Sequence, residues 1–262
     1  MILKRIATGF RQQDWFTVVV ELLVVVFGLL LAFQIDRWRE FREDRELEAT
    51  YIDRLIRDVD DSIPDIEYAI GVQSLRLEFV ELLMDVSVNP QAANEHPVVF
   101  MCAVIQSSYT YSPSLTTHTF DDLRSTGNMS LILDQKVKDA LYDYYGFEQT
   151  QLQFRPLQIA QEFRHFELSS GVLNHEQSRY VHNNWFVVNQ DKIDEIRSLS
   201  YDLDEIQSIV ERFRSRPQLV DWLSSTHELQ VDQIGTQNRQ LELAVTARKA
   251  LFDYAEQLAN GI

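Results

Sequence analysis

Three places in this sequence hold side chains whose type and spacing could do chemistry outside a membrane. Glu162 and His165 stand three apart in "QEFRHF", the Glu-x-x-His half of a carboxylate-bridged di-metal site. Such a site needs a second copy and further carboxylates, and no second Glu-x-x-His occurs. The pair therefore reads as two polar side chains facing solvent. His175 and His182 are seven apart, beside Asn183, Asn184 and Trp185, and read as ordinary surface or capping groups. The single cysteine, Cys102 in "VVFMCAVIQ", reads as a small buried apolar residue; alone it forms no intramolecular disulfide. The sequence has no phosphate-cradling glycine loop, no GxSxG elbow and no HExxH. It thus nominates no catalytic residue, no metal ligand and no cofactor.

A fourth place lies inside an apolar run. From Trp15 to Ile35 only Thr17, Glu21 and Gln34 interrupt the apolar side chains. That length matches the roughly 20 residues a helix needs to cross a bilayer. Trp15 and Trp38 flank the run as interfacial anchors. Glu21 would lie only about 7–8 Å inside the hydrocarbon if that begins near Phe16. It could snorkel, be protonated, or hydrogen-bond to another helix. Glu21, Val25, Gly28, Ala32 and Ile35 follow 4-3-4-3 spacing on one helix face. Gly28 and Ala32 make a small-xxx-small pair that admits a second helix closely. The economical expectation is a helix–helix contact with Glu21 bonded across it. A proton-carrying Glu21 is the alternative.

The elements that must position these residues are helical. Eight Gly and six Pro in 262 residues are few, and apolar residues make up 45%. The net charge of −16 and the lack of a basic patch exclude nucleic acid as a partner. The expected class is all-α: one N-terminal transmembrane helix continuing into an amphipathic helix, then an irregular helical bundle. The divisions are 1–14, a short basic amphipathic N-terminus with Ile2, Leu3, Ile6 and Phe10 at helical spacing; 15–35, the span; and 36–262, an acidic helical domain.

Within 36–262, apolar positions predict a helix to Ile63, a break or kink at Pro64, and a second helix over 65–86. "NPQAANEHP" is a loop; 98–107 is short and apolar and fits either a buried helix or a strand, with helix preferred because nothing nearby offers a strand partner. Thr119 and Asp122 resemble a capping box, and Gly127-Asn128 would end that helix. Asp134 caps the next, which carries Val137, Leu141, Tyr144, Tyr145, Leu152 and Phe154, is kinked at Pro156 and ends at Ser169-Ser170-Gly171. Residues 172–190 read as a polar, aromatic connector. Helices are then expected at 191–199, 203–214, 217–234 and 236–259.

"ELLVVVFGLLLAFQIDRWRE" resembles the N-terminal signature of an uncharacterised family of bacterial single-span membrane proteins. The family pattern, GE-apolar-G-apolar-ALQINNWNE, is matched at Glu21, Gly28, Ala32, Gln34, Ile35, Trp38 and Glu40. Asp36 and Arg37 depart from it, standing where the family often has asparagines. "TFDDLRSTGNMSLI" is similar to a mid-domain segment of the same family. The resemblance implies an anchored helical domain in a bacterial inner membrane and brings no known activity.

The positive flanks are nearly tied: Lys4, Arg5 and Arg11 before the span, Arg37, Arg39, Arg42 and Arg45 after it. A short N-terminus before a large domain favours a cytoplasmic N-terminus and an extracytoplasmic domain. "YTYSPSLTTHTF" is the best recognition surface, with Tyr109, Tyr111, His118 and Phe120 joining aromatic bodies to polar neighbours. The expected partners are the lipid bilayer and either a second copy or another membrane protein. The expected function is that of a membrane-anchored interaction protein; the alternatives are an extracytoplasmic sensor and an accessory subunit of an ion-driven complex using Glu21.

Overall fold

A computed structural model describes residues 15–185 and 188–261, with side chains from Val20 onward. The expected amphipathic N-terminus, 1–14, and the Trp15 anchor side chain lie outside the described residues. Among the described residues the chain is all-helical, with eight α-helices, two short 3-10 turns and no strand. The helices are α1 (Trp15–Val88), α2 (Pro97–Gln106), α3 (His118–Thr126), α4 (Gln135–Ser169), α5 (His175–Asn184), α6 (Gln190–Arg197), α7 (Leu203–Arg214) and α8 (Pro217–Gly261). The chain divides into two compact units, Met1–Ile52 and Asp53–Ile262.

In the first unit, α1 carries its apolar side chains outward on every side. Leu22, Val25, Phe27, Leu31, Phe33 and Ile35 are all exposed, and Trp38 and Phe41 follow. Arg42 stacks over Trp38 at 5.2 Å and Arg45 over Phe41 at 5.3 Å, so the aromatic exit from the run is paired with cations on the same helix. Among the described residues, no helix is long and apolar enough to cross a membrane. The expected span begins at Trp15, whereas the described side chains of the run are those of residues 20–35.

In the second unit, α2 is the central element. Val98–Val104 are all buried, which explains the continuous apolar run that periodicity alone left ambiguous between strand and helix. Around it close the 75–86 stretch of α1, Val172 and Leu173, Ile193 and Ile196 of α6, Ile206, Ile209, Val210 and Phe213 of α7, and Leu219 and Leu223 of α8. Phe100 meets Phe213 edge-to-face at 6.2 Å. The long helices α4 and α8 pack on one another, and α4 contributes Val137, Leu141, Tyr144 and Tyr145 to a second cluster of buried side chains.

Several expectations are corrected. Helix α1 continues through Pro64 without a break. Pro64 is exposed, and the Asp60 carbonyl it deprives of a donor shares that face, while Val59, Ile66 and Ala69 stay buried. Packing on the buried side therefore holds the helix together. Pro156 lies inside α4, as expected, and is exposed. Residues 172–190 are not a connector: α5 forms there behind a capping box in which the Asn174 side chain accepts from Gln177 N–H at 2.9 Å and the Gln177 side chain accepts from Asn174 N–H at 3.0 Å. Thr119 is not a cap but a buried residue inside α3, whose N-cap is Thr117. Leu152 and Phe154, expected inside, are exposed.

The two final helices are one, since α8 runs through Gly235. A Cβ added there would meet nothing within 4 Å, so Gly235 is no packing requirement. Its flexibility costs about 0.5–1 kcal/mol relative to alanine, too little to break a helix buried along its length. Gly235→Ala should therefore raise unfolding stability by about that amount, measured by urea denaturation; an unchanged or lower midpoint would mean that α8 is not continuous there.

Candidate functional site

Between α2 and α3 the chain runs without helix from Ser107 to Thr117, "SSYTYSPSLTT". A segment of this kind cannot satisfy its own N–H and C=O groups, and inside a helical bundle it has no strand to pair with. Side chains from three helices supply the partners. From α8, Gln230 Nε2 donates to the carbonyls of Ser107 at 2.9 Å and Tyr109 at 3.3 Å, and Gln237 Nε2 donates to that of Tyr111 at 2.8 Å. From α4, Glu162 accepts from Thr110 N–H at 3.0 Å and from its hydroxyl, and Tyr145 donates to Thr116 C=O at 3.2 Å.

Helix α1 holds the other side. Asp65 accepts the Tyr111 hydroxyl at 2.8 Å and Ser114 N–H, Ser62 Oγ accepts Thr116 N–H at 3.0 Å, and Asp58 accepts Thr119 N–H at 3.0 Å. Asp58, Ser62 and Asp65 are spaced four and three and share one helix face. Asp58 thereby does for α3 what the expected Thr119 cap would have done, from a different helix.

The sequence-nominated residues fall into place around this strap. Tyr109 and Tyr111 lie in it, half-buried, and His118 is exposed at the start of α3. Phe120 leaves the expected recognition surface: it is 2% exposed and stacks on Tyr145 at 4.3 Å. Glu162 and His165 do not simply face solvent. Glu162 binds Thr110, as above, and His165 is buried with Nε2 3.2 Å from both Ser107 Oγ and Val104 O. Burial pushes the imidazole down to about 4. The Glu-x-x-His spacing thus fastens the strap's first residues. Among the described residues no group of three or more His, Cys, Asp or Glu could hold a metal ion. Cys102 is buried, and that burial raises its thiol to about 12, so it carries no thiolate near neutrality.

Sequence reading missed the glutamines. Gln230, Gln233, Gln237 and Gln240 of α8 are all buried, as is Gln73 of α1. Their 3-4-3 spacing in α8 is a polar stripe where a core stripe is normal, and that was the available signal. Beside them the strap, α4 and α8 enclose a cavity of about 70 Å³, lined by Tyr111, Leu115, Glu148, Leu152, Arg155 and Gln237 among others. Its wall combines amides, one acid, one base and short apolar surfaces, which suits reversible binding of a small polar molecule.

No family model, curated protein or solved structure matches the chain.

Gln230→Leu strips two buried carbonyls of their donor and should lower stability by about 1–3 kcal/mol, read from denaturant midpoints. His165 supplies a pH test. An unfolded histidine titrates near 6.5, and this one is held to about 4, so the folded state binds fewer protons in between. The stability from its neutral form is present above pH 6.5 and is lost as pH falls towards 4. The wild type should fall more steeply than His165→Asn across that window; parallel pH profiles would contradict the burial of a neutral imidazole.

Proposed function

We propose that the chain is a membrane-anchored interaction protein, held by a transmembrane helix over 15–35 and acting through its helical domain. The observation that carries this reading is the uncovered apolar stretch of α1, where side chains from Val20 to Ile35 point outward around the whole helix. A helix that is apolar all round belongs in lipid or against protein rather than in water. Sixteen residues, 20–35, rise about 24 Å, and adding the sequence positions 15–19 brings the run to about 32 Å, close to the hydrocarbon thickness.

The association surface in this reading is the seam of Glu21, Val25, Gly28, Ala32 and Ile35. A Cβ on Gly28 would meet nothing within 4 Å in this chain, so no internal packing requires a glycine there. Close approach of a second membrane helix supplies a reason for it, and Glu21 would then bond across the contact. A second copy or another membrane protein fills that role. A bacterial inner-membrane location, an extracytoplasmic domain and a place in the single-span family that the sequence resembles belong to the same proposal.

Gly28→Leu tests it cleanly, because the substitution disturbs no contact within the chain and improves helix propensity. Alkaline carbonate washing should leave wild type and variant in the membrane pellet. Gentle solubilisation and native mass measurement should show an assembly in the wild type that is lost in Gly28→Leu. Release by carbonate would remove the anchor; a wild type that runs as a lone chain would remove the seam.

A further inference from the structure

Two residues lining the cavity between the strap, α4 and α8 carry acceptor groups with no partner among the described residues. Gln237 is 3% exposed; its Nε2 is committed to Tyr111 C=O, and its Oε1 is buried without a partner. Glu148 is half-buried, with no hydrogen bond or ion pair among the described residues. Burial, and to a lesser degree the nearby charge of Asp121, raises its carboxyl above the ordinary range. Both unmet groups are acceptors.

Two further donors around the same cavity have protein partners. Gln240 Nε2 donates to Tyr144 C=O at 3.3 Å, and Arg155 Nη1 donates to Ser112 Oγ, leaving the other guanidinium nitrogens uncommitted among the described residues. A molecule that satisfies both Gln237 Oε1 and Glu148 must bring N–H donors, and a positive charge would also offset the unpaired Glu148 carboxylate. Leu115, Leu152 and the Tyr111 ring offer apolar surface for a short carbon chain. At roughly 10–15 Å³ of such volume per water-sized centre, about 70 Å³ holds only about five to seven heavy atoms.

We propose that this cavity is a binding site for a small primary ammonium compound, its N–H groups donating to Gln237 Oε1 and the Glu148 carboxylate. The net charge of −16 draws such cations towards the protein. Arg155 lies seven residues from Glu148 on α4, about 10 Å along the helix, and distinguishes two sources of that ammonium. A plain alkylamine would ignore it, whereas an amino acid would place its carboxylate there.

The experiment is a thermal melt and calorimetric titration of the full chain in detergent with ethylamine and, separately, β-alanine, using sodium chloride at equal ionic strength as the reference. The expected result is saturable stabilisation by at least one of the two, beyond the salt reference. Glu148→Gln keeps the shape, leaves no partner broken, and should weaken that binding at least tenfold. Arg155→Gln should weaken β-alanine while sparing ethylamine. Equal affinity in wild type and Glu148→Gln, or no saturable effect from either compound, would overturn the assignment. The seam variant Gly28→Leu should bind unchanged, so failure of the membrane reading and failure of this one are separable.

Discussion

An extended segment inside a helical protein is the constraint on which the second unit depends. Helices satisfy their own backbone; residues 107–117 cannot. Each backbone group that enters the interior must find a side-chain partner, and an unmet one costs about 1–3 kcal/mol. The protein meets this by importing glutamine, aspartate, serine and glutamate from α1, α4 and α8. Those side chains must stay in register with the strap over several helical turns. Long uninterrupted helices deliver that register. This is a physical reason for α1 and α8 to continue past Pro64 and Gly235, and for Pro64 and Pro156 to face outward.

The same constraint organises the buried polar groups. His165 lies at the strap's beginning because Ser107 and Val104 offer it partners there. Gln106 binds two residues that follow α5, donating to Trp185 C=O at 2.6 Å and accepting from Val188 N–H at 3.0 Å. Arg76 donates to Val188 C=O at 2.8 Å and lies over Phe79 at 5.3 Å; burial lowers its guanidinium to about 10. Polar groups of this kind fix one arrangement of the bundle, since a slip of any helix would leave several unmet at once.

Much of the helical architecture was legible in the sequence. Sparse glycine and proline, the apolar spacing, Asp134 as a cap, Gly127 and Gly171 as left-handed stops and the limits of α7 all read directly. The misreadings have local causes. Pro64 and Gly235 are breakers by propensity, but each costs only one residue's worth of helix against burial on both sides. Helix α5 was obscured by weak apolar content, although Asn174 and Gln177 carried its capping box. The strap's partners were hidden because a glutamine on a helix is ordinarily surface; only the 3-4-3 stripe set these apart. Glu162 and His165 carried the spacing of a metal half-site and serve instead to fasten backbone.

The strap also links the cavity to the bundle. Tyr111 is fixed by Asp65 through its hydroxyl and by Gln237 through its carbonyl, so the wall of the cavity is built from groups that already hold the fold. The most direct measurement is hydrogen exchange at the amides of Thr110, Ser114, Thr116 and Thr119. They should be protected to a degree approaching that of neighbouring helical amides, although none of their N–H groups is bonded within a helix. Exchange at the rate of an exposed loop would contradict the side-chain anchoring on which this account rests.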